Sequence, residues 1–102
     1  MKIKEYKKYQ EDEIQTLYAA VGWTAYTEDL PALKRGFQNS LLILAAYEDG
    51  ELIGLIRAVG DGATIVFVQD ILVIPQKQRQ GIGTALLKAV LERFSAVRQI
   101  QL

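Results

Sequence analysis

From Ile3 to Tyr9 the chain reads as a short first strand, with Lys2, Lys4, Lys7 and Lys8 keeping one side wet. Gln10-Glu11-Asp12-Glu13 then places acid where a helix start favours negative charge. Ile14, Leu17, Tyr18 and Val21 follow at helical spacing, up to Gly22, a natural stop. Trp23 to Tyr26 reads as a loop rich in aromatic side chains. Thr27 is the expected cap of a second short helix, with Glu28 and Asp29 in its first turn and Pro31 early enough to be tolerated. Leu30, Leu33 and Phe37 form its apolar stripe, and Asn39-Ser40 closes it.

Beyond that point the period changes. Leu41 to Tyr47 and Leu52 to Val59 read as two strands joined at Asp49-Gly50, a pair suited to a turn with positive φ at both central positions. Gly60-Asp61-Gly62 makes another turn, and Ala63 to Ile74 is a third strand rich in β-branched residues, ended by Pro75. A polar loop, Gln76 to Gln80, precedes the clearest helix, whose apolar positions are Ile82, Leu86, Leu87, Val90, Leu91 and Phe94. Val97 to Leu102 begins a last strand. The order β-α-α-β-β-β-α-β predicts an α/β (α+β) fold: a mixed, mostly antiparallel sheet flanked by helices, with a right-handed parallel crossover into the final strand.

Composition narrows the function more than the fold. The 102 residues, half of them hydrophobic, suit one domain over 1–102 with one core. Twelve Lys and Arg balance twelve Asp and Glu, so the general basic footprint of a nucleic-acid binder is missing. With no Cys and no His, disulfides, thiolate zinc sites, Ser–His–Asp triads and histidine bases are excluded. No metal site is expected, because no acids cluster on a shared face beyond the helix ends. The longest apolar run, Leu41 to Ala46, is far short of the ~20 residues that cross a bilayer. A cytoplasmic protein without membrane partners is the expectation.

One segment carries chemistry. Val73-Ile74-Pro75 leaves a buried strand and enters Gln76-Lys77-Gln78-Arg79-Gln80, and Gly81-Ile82-Gly83-Thr84 then opens a helix. The first amides of a helix have no partner inside it and point outward. Gly81 and Gly83, lacking Cβ, let a ligand approach the backbone, and Lys77 and Arg79 add positive charge. Such a turn suits a phosphate or pyrophosphate. The spacing fits neither Gly-x-x-x-x-Gly-Lys-Ser/Thr nor Gly-x-Gly-x-x-Gly, since position 86 is Leu.

The spacing that matches, Gln78-x-x-Gly81-x-Gly83, resembles the Gln/Arg-x-x-Gly-x-Gly/Ala signature of the GNAT superfamily of N-acetyltransferases. The Asp70-Ile71-Leu72-Val73-x-Pro75 strand end before it and the element order agree with that resemblance. The resemblance implies acetyl-CoA as co-substrate and the amine of a small molecule or peptide as acceptor. It implies that the pyrophosphate lies on the amides of Gln78, Arg79, Gln80, Gly81, Ile82, Gly83 and Thr84. The pantetheine arm would add to the strand at Ile71, Leu72 and Val73, with the Ile71 amide donating to the thioester carbonyl. Family bases tend to stand at the positions matching 67 and 69, on the face of position 71; here these are Phe67 and Gln69, of which Gln69 could hold a water. Strand alternation places residues 67, 69 and 71 on one face and 68 and Asp70 on the other, unless a bulge resets the register. Trp23, Tyr26 and Glu28 fall where the family commonly lines the acceptor side.

The resemblance covers the front part of a family domain. Members usually continue with another helix, often carrying the tyrosine that protonates the leaving thiolate, and a final strand. The expectation is therefore a domain incomplete at its C-terminus. Two alternatives follow: a coenzyme A-binding module without turnover, or a strand-exchanged homodimer formed through the open C-terminal strand edge.

Overall fold

The computed structural model describes residues 1–102. Five strands form one sheet in sequence order: β1 (Lys2–Glu5), β2 (Leu42–Glu48), β3 (Glu51–Gly60), β4 (Ile65–Val73) and β5 (Gln99–Gln101). All neighbours are antiparallel except β4 and β5, which run parallel. Helices α1 (Glu11–Ala20), α2 (Thr24–Thr27) and α3 (Leu30–Gln38) cover one face, and α4 (Ile82–Arg93) covers the other. The expected architecture is present, with one added turn of helix, α2, where an aromatic loop was expected.

Each face has its own core. Ile14, Leu17 and Tyr18 of α1 and Leu33 and Phe37 of α3 pack on Ile43, Ala45, Leu55 and Leu72. On the other side Ile82, Leu86 and Val90, one residue per turn of α4, pack on Leu44, Ile53, Ile56 and Val68. Each such side chain contributes about 1.5–3 kcal/mol through burial. Leu91, expected in that stripe, is exposed, because the three residues at i, i+4 and i+8 already fill the contact.

Several boundaries shift for local reasons. The first strand stops at Glu5: Tyr6 turns inward, and its hydroxyl donates to Glu13 (2.7 Å) and accepts from the amide of Gln10 (3.0 Å). The cap of α3 is Asp29, whose Oδ1 accepts from the amide of Ala32 at 3.2 Å, so Thr27 ends α2 instead. The last strand is confined to Gln99–Gln101 and pairs only with Ile65, Val66 and Phe67. The hairpin turn is as expected, with φ of 52° at Asp49 and 80° at Gly50. Gly54 sits where β3 meets α4. A Cβ there would lie 3.2 Å from the Leu72 carbonyl oxygen and 3.4 Å from the side chains of Ile82 and Val73.

The largest correction concerns β4. Arg57 pairs with Asp70 and Ala58 with Val68, so Gln69 is an extra residue and the strand bulges there. Val68 joins the α4 core with Ile56, whose partner is Ile71, while Leu72 joins the α1–α3 core. Residues 67 and 71 therefore lie on opposite faces rather than a shared one. Asp70 is brought to the side of α1 and α3.

Candidate active site

The site begins at the bulge. Before it, Val66 and Phe67 are paired on both sides; from Val68 to Val73 the strand has no neighbour beyond it. Ile74 donates its amide to Ile53 at 2.9 Å. Antiparallel pairs alternate between bonded and non-bonded. Counting back from Ile74, Leu72 turns its polar groups to β3, whereas Ile71 and Val73 turn theirs outward. Of the residues expected to meet the pantetheine arm, Ile71 and Val73 thus turn their backbone groups to the open edge, and the Leu72 side chain is core. The outward carbonyl of Val73 accepts from Gln78 Nε2 at 3.0 Å.

After β4, Pro75–Lys77 forms one 3-10 turn, and the chain reverses through Arg79 at φ 64° and Gly81 at φ 82°. Gly81 is the residue before α4, and its carbonyl accepts the first helical bond, from Ala85 at 2.9 Å. No acceptor in the chain takes the consecutive amides of Arg79, Gln80, Gly81, Ile82, Gly83 and Thr84. Positive φ at Arg79 and Gly81 folds these N–H groups into a concave nest at the positive end of a helix. Nothing lies within 4 Å of where a Gly81 Cβ would stand, and only Val73 Cγ2, at 3.9 Å, near that of Gly83. These glycines leave the nest open, and neither is demanded by packing. The signature residues Gln78 to Thr84 are brought together as the spacing predicts.

The two cations part company. Arg79 is exposed and in no ion pair, free to meet an anion. Lys77 is bound to Glu48, which raises the lysine pKa and lowers that of the carboxylate, in each case first through the hydrogen bond and then through charge. The salt bridge anchors the 3-10 turn to the β2–β3 hairpin.

Beside the bulge lies a cluster that sequence reasoning missed. Asp70 is 2% exposed and Arg57 is 6% exposed. Arg57 Nε donates to Asp70 Oδ2 at 2.7 Å, the Tyr18 hydroxyl donates to the same oxygen at 2.8 Å, and the Tyr26 hydroxyl donates to Oδ1 at 3.0 Å. Burial, then the Asp70 charge, pushes the Tyr18 hydroxyl well above the usual phenol range. Burial pulls on Arg57 in the deprotonating direction, but the Asp70 hydrogen bond and charge outweigh it, and the net shift is upward. Removing one partner of such a pair costs about 3–5 kcal/mol. The available signal was a charged residue in each of two paired apolar strands, Arg57 and Asp70.

Of the expected acceptor-side residues, Tyr26 reaches this cluster, and Gln69 Nε2 comes to 3.5 Å from its hydroxyl. Trp23 is half-buried, with its ring against Tyr18 (5.9 Å) and Tyr26 (6.1 Å), as a cover for the core edge. Glu28 is exposed at the end of α2. Phe67 is exposed on the sheet face opposite Ile71.

The acetyltransferase (GNAT) family model matches residues 6–101, and the chain belongs to that family. It is 40% identical to an acetyltransferase, GNAT family protein, from Streptococcus pneumoniae TIGR4, with a TM-score of 0.86 over 98% of this chain and 72% of that one. It is 37% identical to a mycothiol acetyltransferase of Kineococcus radiotolerans over 83% of its own length, which is 30% of the relative's. An aminoglycoside 6'-N-acetyltransferase complexed with coenzyme A shares the fold, with a TM-score of 0.80 at 21% identity over 94% of this chain and 56% of the other. No helix is long and apolar enough to cross a membrane.

Proposed function

We propose that this chain binds acetyl-CoA and passes the acetyl group to the primary amine of a small molecule or peptide. The observation that carries the reading is the run of unpaired amides from Arg79 to Thr84 beside a strand edge that turns the Ile71 N–H outward. The nest takes the pyrophosphate, and the open edge at Ile71 and Val73 takes the amide-bearing arm as an added strand. A solved neighbour titled as a complex with coenzyme A, and relatives named acetyltransferases, support this co-substrate and an amine acceptor.

With acetyl-CoA seated, this chain's groups have definite tasks. A neutral amine attacks the thioester carbon, the carbonyl oxygen gains negative charge, and coenzyme A departs as thiolate. The Ile71 N–H donates to that oxygen, an interaction worth a few kcal/mol in the transition state. The amine must first lose a proton. Gln69, exposed at the bulge, is the side chain to hold the water that carries it away.

Isothermal titration of the folded chain with acetyl-CoA should give saturable binding, and thiol release should then depend on added primary amine. Absence of binding overturns the proposal. Binding without release under any amine leaves a coenzyme A-binding module. Light scattering of the same sample tests pairing of two copies through the open edge.

A further inference from the structure

A cavity of about 180 Å³ lies at the junction of α2 and α3, lined by Ala25, Tyr26, Asp29, Ala32, Gly36 and Arg57 among others. Arg57 supplies charge to a site otherwise walled largely by small and apolar groups. It is buried in the middle of β3, where a guanidinium needs acceptors for its five N–H donors. Nε is bound to Asp70, Nη1 reaches Ser40 Oγ only at 3.3 Å, and Nη2 has no acceptor in the chain. Nη1 faces Gly36: a Cβ there would lie 3.2 Å from it. The missing side chain at Gly36 leaves room beside Nη1, while the Phe37 ring lies 5.6 Å from the guanidinium carbon.

Charge selects among ligands. Asp70 already neutralises Arg57, and Asp29, at the start of α3, is a second carboxylate lining the cavity. An incoming carboxylate would be a third anion around one cation, and repulsion would offset its hydrogen bonds. A neutral carbonyl oxygen meets the free donors without that cost, and an adjacent N–H can meet Asp29. Donors on one lining residue and an acceptor on another are the complement of an amide.

We propose that this cavity seats an amide group, its oxygen accepting from the Nη groups of Arg57 and its N–H directed to Asp29. Tyr26 lines the cavity and its hydroxyl is bound to Asp70, the residue next to Ile71. Resting on the acetyl-transfer reading, the amide belongs to the acceptor, which is then a peptide or an amino-acid amide.

The test is a ¹H–¹⁵N NMR titration with acetamide, set against sodium acetate and ethylammonium chloride at equal ionic strength. Acetamide should shift the Gly36 amide and the Arg57 Nε–H saturably, with acetate about fivefold weaker or more. Arg57→Lys keeps a charge beside Asp70 but removes the fork, and should abolish the response. Ala25→Phe, at an exposed position, should block the cavity without touching the ion pair, and decides the matter if Arg57→Lys does not fold. Acetate matching acetamide, ethylammonium alone shifting these signals, no saturation, or a response that survives Ala25→Phe overturns the proposal. Acetyl-CoA is titrated into the same sample. Acetyl-CoA binding without an acetamide response removes the cavity site and leaves the transfer reading; the converse removes the transfer reading and leaves the cavity.

Discussion

Strand β4 has a glycine-bearing turn at each end, and the two use the same backbone device to opposite effect. Before the strand, Gly60-Asp61-Gly62 turns successive N–H groups inward. The Asp61 carboxylate accepts from the amides of Ala63 (2.9 Å), Thr64 (2.8 Å) and Ile65 (3.1 Å), and from the Thr64 hydroxyl (2.6 Å). After the strand, Arg79 to Thr84 converge in the same manner, and the loop contains Gln78 and Gln80 but no acid. Gln78 and Gln80 spend their amide nitrogens on the carbonyls of Val73 and Gln76. A nest supplied with its own carboxylate is a finished turn. A nest without one is left open, as the proposed binding of a pyrophosphate requires.

The strongest way to break this contrast is to give the second nest an acid of its own. Gly83→Glu should weaken acetyl-CoA binding by about 100-fold or more in calorimetry, because it replaces charge-assisted bonds worth roughly 1.5–3 kcal/mol each with repulsion. The melting temperature should hardly move, since a Cβ at this position meets only Val73 Cγ2 at 3.9 Å. A loss of binding accompanied by unfolding would count against the cradle.

Gly81→Ala comes next. With φ at 82°, a side chain there is strained by about 1–2 kcal/mol. Urea unfolding should record that loss, and relaxation of the turn should weaken acetyl-CoA binding by about tenfold. The smallest effect on binding is expected from Asp61→Ala, which should leave acetyl-CoA affinity unchanged and act on stability alone. The hydrogen bond from Thr64, followed by those from the backbone amides, lowers the Asp61 pKa below the usual carboxylate range. A depressed folded-state pKa contributes stability that is full above the unfolded value, near 4, and is lost as pH falls through the folded one. Melting curves of the wild type from pH 6 downward should fall through this window, and those of Asp61→Ala should be flatter there.

Much of this contrast could be read in the sequence, and the reason is local. The spacing of Gln78, Gly81 and Gly83 needs no tertiary information, since a strand end, a turn and a helix start fix where the amides point. The same holds for the hairpin at Asp49-Gly50. The face of Asp70 could not be read, because the one-residue slip at Gln69 depends on how β3 and β4 register against each other over the whole hairpin. Alternation counted along a single strand assigns Ile71 to the side of Phe67, and the bulge reverses it. Tyr18 and Tyr26 likewise gain meaning only when α1 and α2 are set down over Asp70, across sequence separations of 52 and 44. The expected end of the first strand failed for a related reason: Tyr6 and Tyr9 have strand-like composition, but Phe37 of α3 draws their rings off the sheet, to centroid distances of 6.2 and 5.3 Å.

Gly54, finally, acts as a gauge block. With the Leu72 carbonyl, Val73 and Ile82 all closing on the place where its side chain would be, the first turn of α4 rests directly on the sheet. The span from the helix tip to the outward amide of Ile71 is thereby held by close packing of Ile82 and Val73 over a position with no side chain. Under the proposed function, a carrier gripped at the nest delivers its reactive end to the same place in every copy. A single methyl at position 54 would reset that measure without altering any group that touches the carrier.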